Sequence, residues 1–122
     1  MLRVLVAATF WTRLWGLHAY SAHQREYVAI LLSPCRMVHT WGLSKAIDLV
    51  FLDRQGHFLC YLPSVQPYAI RFQYHAGAVL EAPAGKGLQA WRLLNDQYCC
   101  RDGKWFDKLG KSLRTTRPLK PY

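Results

Sequence analysis

The stretch KAIDLVFLD, Lys45 to Asp53, decides the fold. Side chains alternate across a strand, so Ile47, Leu49 and Phe51 take one face and Ala46, Asp48, Val50 and Leu52 the other. Both faces are apolar, the pattern of a central strand covered on both sides. Asp53-Arg54-Gln55-Gly56 follows as a turn, with Gly56 suited to a positive φ, and His57 to Leu62 (HFLCYL) returns as the partner strand.

Shorter segments lie to either side. Leu2 to Ala8 reads as a strand, and Thr9 as the N-cap of a helix running to about Tyr20, with Phe10, Leu14 and Leu17 on its core-facing stripe. Ser21 to Glu26 reads as a polar loop and Tyr27 to Leu32 as a continuously apolar strand ended by Ser33-Pro34. Beyond Pro63 and Pro67, Tyr68 to Tyr74 alternates weakly, and Gly77 to Ala82 is another strand, closed by Pro83-Ala84-Gly85. Gly87 to Leu94 reads as helical turns and Gln97 to Cys100 as a last strand. These short strands predict an α+β fold: a mostly antiparallel, partly closed barrel-like sheet with one main N-terminal helix.

The 122 residues, 52% of them hydrophobic, suit one domain and exclude a disordered chain. The net charge of +9 is unevenly spread. Residues 1–100 hold nine Lys+Arg against five acids, and residues 101–122 seven against two. The expected organisation is therefore a compact domain over 1–100 and a basic extension over 101–122, helical around Lys104 to Leu113. No stretch approaches the ~20 apolar residues of a membrane helix. Met1 to Trp11 imitates a signal peptide, but Arg13 interrupts it and no small-residue cleavage site follows, so the chain is read as cytoplasmic. Cys35, Cys60, Cys99 and Cys100 match no zinc spacing and read as reduced, small apolar residues.

Asp48 is the most informative single residue. A carboxylate amid Ile47, Leu49 and Val50 needs a partner from another segment. The candidates are Arg36, His39, Thr40, Arg71 and the Trp41-Gly42 amides. Two roles stand side by side: a ligand- or metal-facing carboxylate, and a structural one that pins a loop to the sheet. Cys35 and His39 could pair as nucleophile and base, and His39, Asp48 and Glu81 could hold a metal, but neither spacing carries a motif. Glu81 could also cap the turn that follows it. No cofactor is expected. In the tail, Arg101, Lys104, Lys108, Lys111, Arg114, Arg117 and Lys120 recur every three or four residues around Trp105 and Phe106, a composition that suits single-stranded nucleic acid, an anionic surface, or a solvated tail.

Several motifs in order resemble the uncharacterised bacterial and archaeal family catalogued as domain of unknown function 192. They are RLWGL (Arg13 to Leu17), LLSPC (Leu31 to Cys35), VHTWGL (Val38 to Leu43), IDLVFLD (Ile47 to Asp53), Gly56 and LEAPAG (Leu80 to Gly85). The resemblance spans about residues 4 to 98. Leu43 stands where a Met is usual, Asn95-Asp96 where a Gly-Asp pair is expected, and the basic tail lies outside it. The resemblance implies a barrel-like α+β domain with no assigned activity, and some relatives carry export leaders. It adds weight to Arg13, His39, Thr40, Asp48 and Glu81 as a polar site.

The function predicted is a non-catalytic binding or accessory module with a polar site around His39 and Asp48 and a small ligand as partner. One alternative is a metal-dependent or Cys/His enzyme on the same residues. The other is a nucleic-acid or anionic-surface binder using Lys104, Lys108, Lys111, Arg114 and Arg117.

Overall fold

Nine short strands are the main elements of the described residues. A computed structural model describes residues 2–7 and 21–111. The strands are β1 (Arg3–Ala7), β2 (Val28–Leu32), β3 (Met37–His39), β4 (Ile47–Leu52), β5 (Phe58–Val65), β6 (Ile70–Phe72), β7 (Ala78–Pro83), β8 (Tyr98–Arg101) and β9 (Lys104–Asp107). The described helices are α1 (Ala22–Arg25) and α2 (Gly87–Gln97).

The main sheet has the order β1-β2-β7-β4-β5, antiparallel except for the parallel pair β1–β2. As its pattern requires, β4 is central and buried along its whole length, between β7 and β5. Ile47, Leu49 and Phe51 join one core, with Val38 and Ala76. Val50 and Leu52 join the other, with Ala90 and Leu94 of α2 and Trp105 of β9. The two-stranded ribbon β3–β6 thus belongs to the first face, and α2 with the β8–β9 hairpin to the second.

Four expectations are corrected. The fold is mostly β and the sheet is open, with β1 and β5 at its edges. Other elements cover its two faces, so closure into a barrel is not needed to bury them. The principal described helix is α2, late in the chain; the helix expected over Thr9 to Tyr20 lies outside the described residues. Lys104 begins a strand, not a helix: Asp102 (φ 49) and Gly103 (φ 77) form a turn with two left-handed residues that folds β9 back onto β8. An Asp-Gly pair is a strong hairpin signal, and it overrides the helical spacing of the basic residues. The polar loop at Ser21 to Glu26 holds the one-turn α1, whose start is fixed by reciprocal Ser21–Gln24 bonds. Among the described residues no helix is long and apolar enough to cross a membrane.

Candidate functional site

Asp48 is fully buried on the α2 side of the sheet, and its carboxylate accepts four hydrogen bonds. The Ser64 amide donates to Oδ1 at 2.9 Å. The Tyr61 hydroxyl (2.6 Å) and the amides of Gly85 (3.1 Å) and Gly87 (2.9 Å) donate to Oδ2. Each donor is aimed by local backbone. The β4–β5 register slips between Ile47 and Leu49, leaving Pro63 and Ser64 opposite Asp48 alone, and Ser64 adopts a left-handed φ of 50 that belongs to this bulge. Gly85 and Gly87 end the β7–α2 turn, and Gly87 is the first residue of α2, where free amides and the helix dipole favour an anion. A Cβ on Gly87 would stand 2.8 Å from Asp48 Cβ and 2.7 Å from the Tyr61 ring, so the close approach requires glycine.

The partners expected from side chains or from the Trp41-Gly42 turn are not among these four donors. Asp48 instead ties the β5 bulge and the α2 N-terminus to the central strand. It also caps the turn assigned as a candidate to Glu81. The hydrogen bond from Tyr61 to the Asp48 carboxylate, with burial adding to it, pushes the phenol from 10.0 up to about 12. Below pH 10 the phenol is protonated in folded and unfolded chains alike. Between pH 10 and 12 the unfolded chain releases this proton while the folded one retains it, so stability falls as pH rises through that window. Tyr61→Phe should remove this component, flattening the plot of unfolding free energy against pH from 10 to 12; equal slopes in the two proteins would contradict the assignment.

The remaining candidates are dispersed. Glu81 is buried opposite Ile30 and Leu49, on the face of the sheet away from Asp48. Thr40 is buried and staples the 66–69 loop: its hydroxyl donates to the Gln66 carbonyl at 2.7 Å and accepts from the Ala69 amide at 2.9 Å. His39 is on the exposed side of the ribbon, 5.4 Å from the Trp41 ring centroid. Cys35 donates to the Met37 carbonyl. Arg13, Arg114 and Arg117 lie outside the described residues, and Lys104, Lys108 and Lys111 are exposed. Among the described residues no group of three His, Cys, Asp or Glu is placed to hold a metal. Sequence reasoning missed Tyr61, Ser64, Gly85 and Gly87 as partners. Pro63 inside a strand pattern and paired glycines before a helix were their available signals.

The turn that Asp48 secures forms one wall of a cleft of about 340 Å³. Leu43, Ala46, Ile47, Pro83 and Ala84 give it an apolar lining, and Arg25, Lys45 and Lys86 bring cations to it with a single acid, Glu26. Lys45 donates to Glu26 at 3.0 Å, which holds that carboxyl below its usual range. Lys86 Nζ donates to the Glu26 carbonyl at 2.7 Å and lies 5.4 Å from the Tyr27 ring centroid. Burial lowers the Arg25 guanidinium from its usual value.

No family model and no curated protein matches the chain. Two solved structures share its fold. A protein of unknown function from Novosphingobium aromaticivorans DSM 12444 superposes with a TM-score of 0.60 at 16% identity, over 73% of this chain and 68% of that one. A protein of Sinorhizobium meliloti 1021, provisionally described as a transcription regulator, gives 0.59 at 20% identity, over 84% and 78%. At these identities the likeness is one of fold.

Proposed function

We propose that the chain is a member of the domain-of-unknown-function 192 family and acts as a non-catalytic binding module. Its ligand is a small amphipathic anion, a carboxylate or phosphate on an apolar body, held in the cleft between α1 and the β7–α2 turn. The observation that carries this reading is the lining: a concave, mainly apolar surface with three cations against one carboxylate. Ligand sites have this composition, with polar groups few and placed to orient the ligand. Asp48 then works indirectly, by holding Gly85 and Gly87 and with them the Pro83–Lys86 wall. Of the three N–H groups on Lys86, one is spent on the Glu26 carbonyl, leaving two for an anion.

Titration with hexanoate and with phenyl phosphate, followed by backbone amide NMR, tests the proposal. Saturable shifts at Ala46, Ala84 and Lys86 are expected, weakened at least fivefold by Lys86→Ala and abolished by Ala84→Trp, which fills the exposed mouth. Absence of saturable shifts, or binding indifferent to both variants, would overturn it.

A further inference from the structure

The β3–β6 ribbon inverts the usual pattern of a surface strand pair. Val38 points inward and is buried. The outward partners are Met37 opposite Phe72 and His39 opposite Ile70. Met37 is 59% exposed, Phe72 58% and Ile70 48%, where an antiparallel pair covering a sheet ordinarily turns polar residues to water. Further bonds, Gln73 N–H to the Arg36 carbonyl and Thr40 N–H to the Ala69 carbonyl, continue the ladder at both ends. They carry it toward Tyr74, 67% exposed, and toward Tyr68 and Trp41, also exposed. An apolar, aromatic surface of this kind marks a binding face.

Charge selects the occupant. Residues 27–47 and 54–80, which contain the whole ribbon, hold no Asp or Glu; Arg36 adjoins the start of β3, while Arg71, paired with Val38, belongs to the other side of the ribbon. Arg36 lies 5.9 Å from the Tyr74 ring centroid, and from there a broad groove of about 860 Å³ runs past Arg54, His75 and Lys104, with Asp102 the one acid among its lining residues, so cations outnumber acids three to one. A second copy of the same face would bring two surfaces that carry Arg36 and no acid of the ribbon together, which opposes self-association. Flat aromatic and apolar surfaces for bases, beside a cationic track for phosphates, are what single-stranded nucleic acid requires.

We infer that the outer face of the β3–β6 ribbon and the adjoining Arg36–Arg54–Lys104 groove bind single-stranded nucleic acid. Bases stack on Phe72 and Tyr74 and phosphates pair with the arginines. This site is separate from the ligand cleft and differs from a basic-tail site in resting on the ribbon.

The test is fluorescence anisotropy with a labelled oligothymidylate of about 12 nucleotides, repeated with oligouridylate and at several salt concentrations. Binding should weaken as salt rises. Phe72→Ala/Tyr74→Ala should weaken it at least tenfold, with circular dichroism and melting confirming the fold. Arg36→Ala/Arg54→Ala should reduce the salt slope by about 1.4, about 0.7 for each phosphate no longer neutralised. Lack of binding at 100 µM protein would overturn the inference. So would binding that survives the aromatic pair but is lost with Lys108→Ala/Lys111→Ala, which would assign it to the tail. A concentration-dependent dimer abolished by Phe72→Ser, with no oligonucleotide binding, would assign the face to a second copy and equally overturn it.

Discussion

Replacing Asp48 with alanine should cost about 3–5 kcal/mol of folding free energy, read from urea unfolding. The substitution deletes the shared acceptor of one hydroxyl and three amides. A buried donor left without an acceptor costs about 1–3 kcal/mol. The full sum is not reached, because Ser64 and Gly85 are exposed and water can replace the carboxylate there. Gly87 and its amide are buried, and the Tyr61 hydroxyl shares the same pocket, so their loss is not recovered. Asp48→Asn should cost less, since its amide oxygen still accepts, but its NH₂ meets other donors. For a domain whose total stability is of order 5–15 kcal/mol, that loss is a large fraction of the whole. A loss below about 1 kcal/mol would mean that water satisfies all four donors and that the carboxylate does not anchor the bulge and the turn.

The same residue shows what the sequence could and could not convey. Its position on a strand apolar on both faces makes burial legible, and burial makes a partner obligatory. The identity of the partners is not legible, because three of the four are backbone amides, which every residue but proline carries. Only their geometry is special, and it leaves indirect traces: Pro63 in the bulge, and glycines at 85 and 87. Side-chain reasoning therefore points to Arg36, His39, Thr40 and Arg71. It also joins Asp48 and Glu81, although the registers of β4 and β7 put them on opposite faces. The strands are legible wherever apolar runs end in Gly or Pro turns. Whether the sheet closes is not, because nothing local to a strand records which element will cover its face.

Trp105→Ala should cost about 3–5 kcal/mol, and it decides where the domain ends. Charge places a boundary after residue 100, with a basic extension beyond. Yet β9 pairs residue for residue with β8, and Trp105 is 4% exposed in the core shared by α2 and the central strands. Its ring lies 3.3 Å from the point where a Cβ on Gly56 would stand, so the β4–β5 turn closes directly over the indole. The Gly103 amide donates to the Arg54 carbonyl at 2.7 Å, and Gln55 bonds Asp102 in both directions at 2.9 and 3.2 Å. These interactions couple residues 101–107 to the organising strand pair. The cost should therefore be global: one unfolding transition, lowered for every probe. Hydrogen exchange separates this from the alternative. If the hairpin were an appendage, the alanine variant would lose amide protection only over Tyr98 to Asp107 and keep it in β4 and β7. If the hairpin belongs to the core, protection in β4 and β7 falls by the same free energy as urea reports, because the indole is part of the packing that holds those strands.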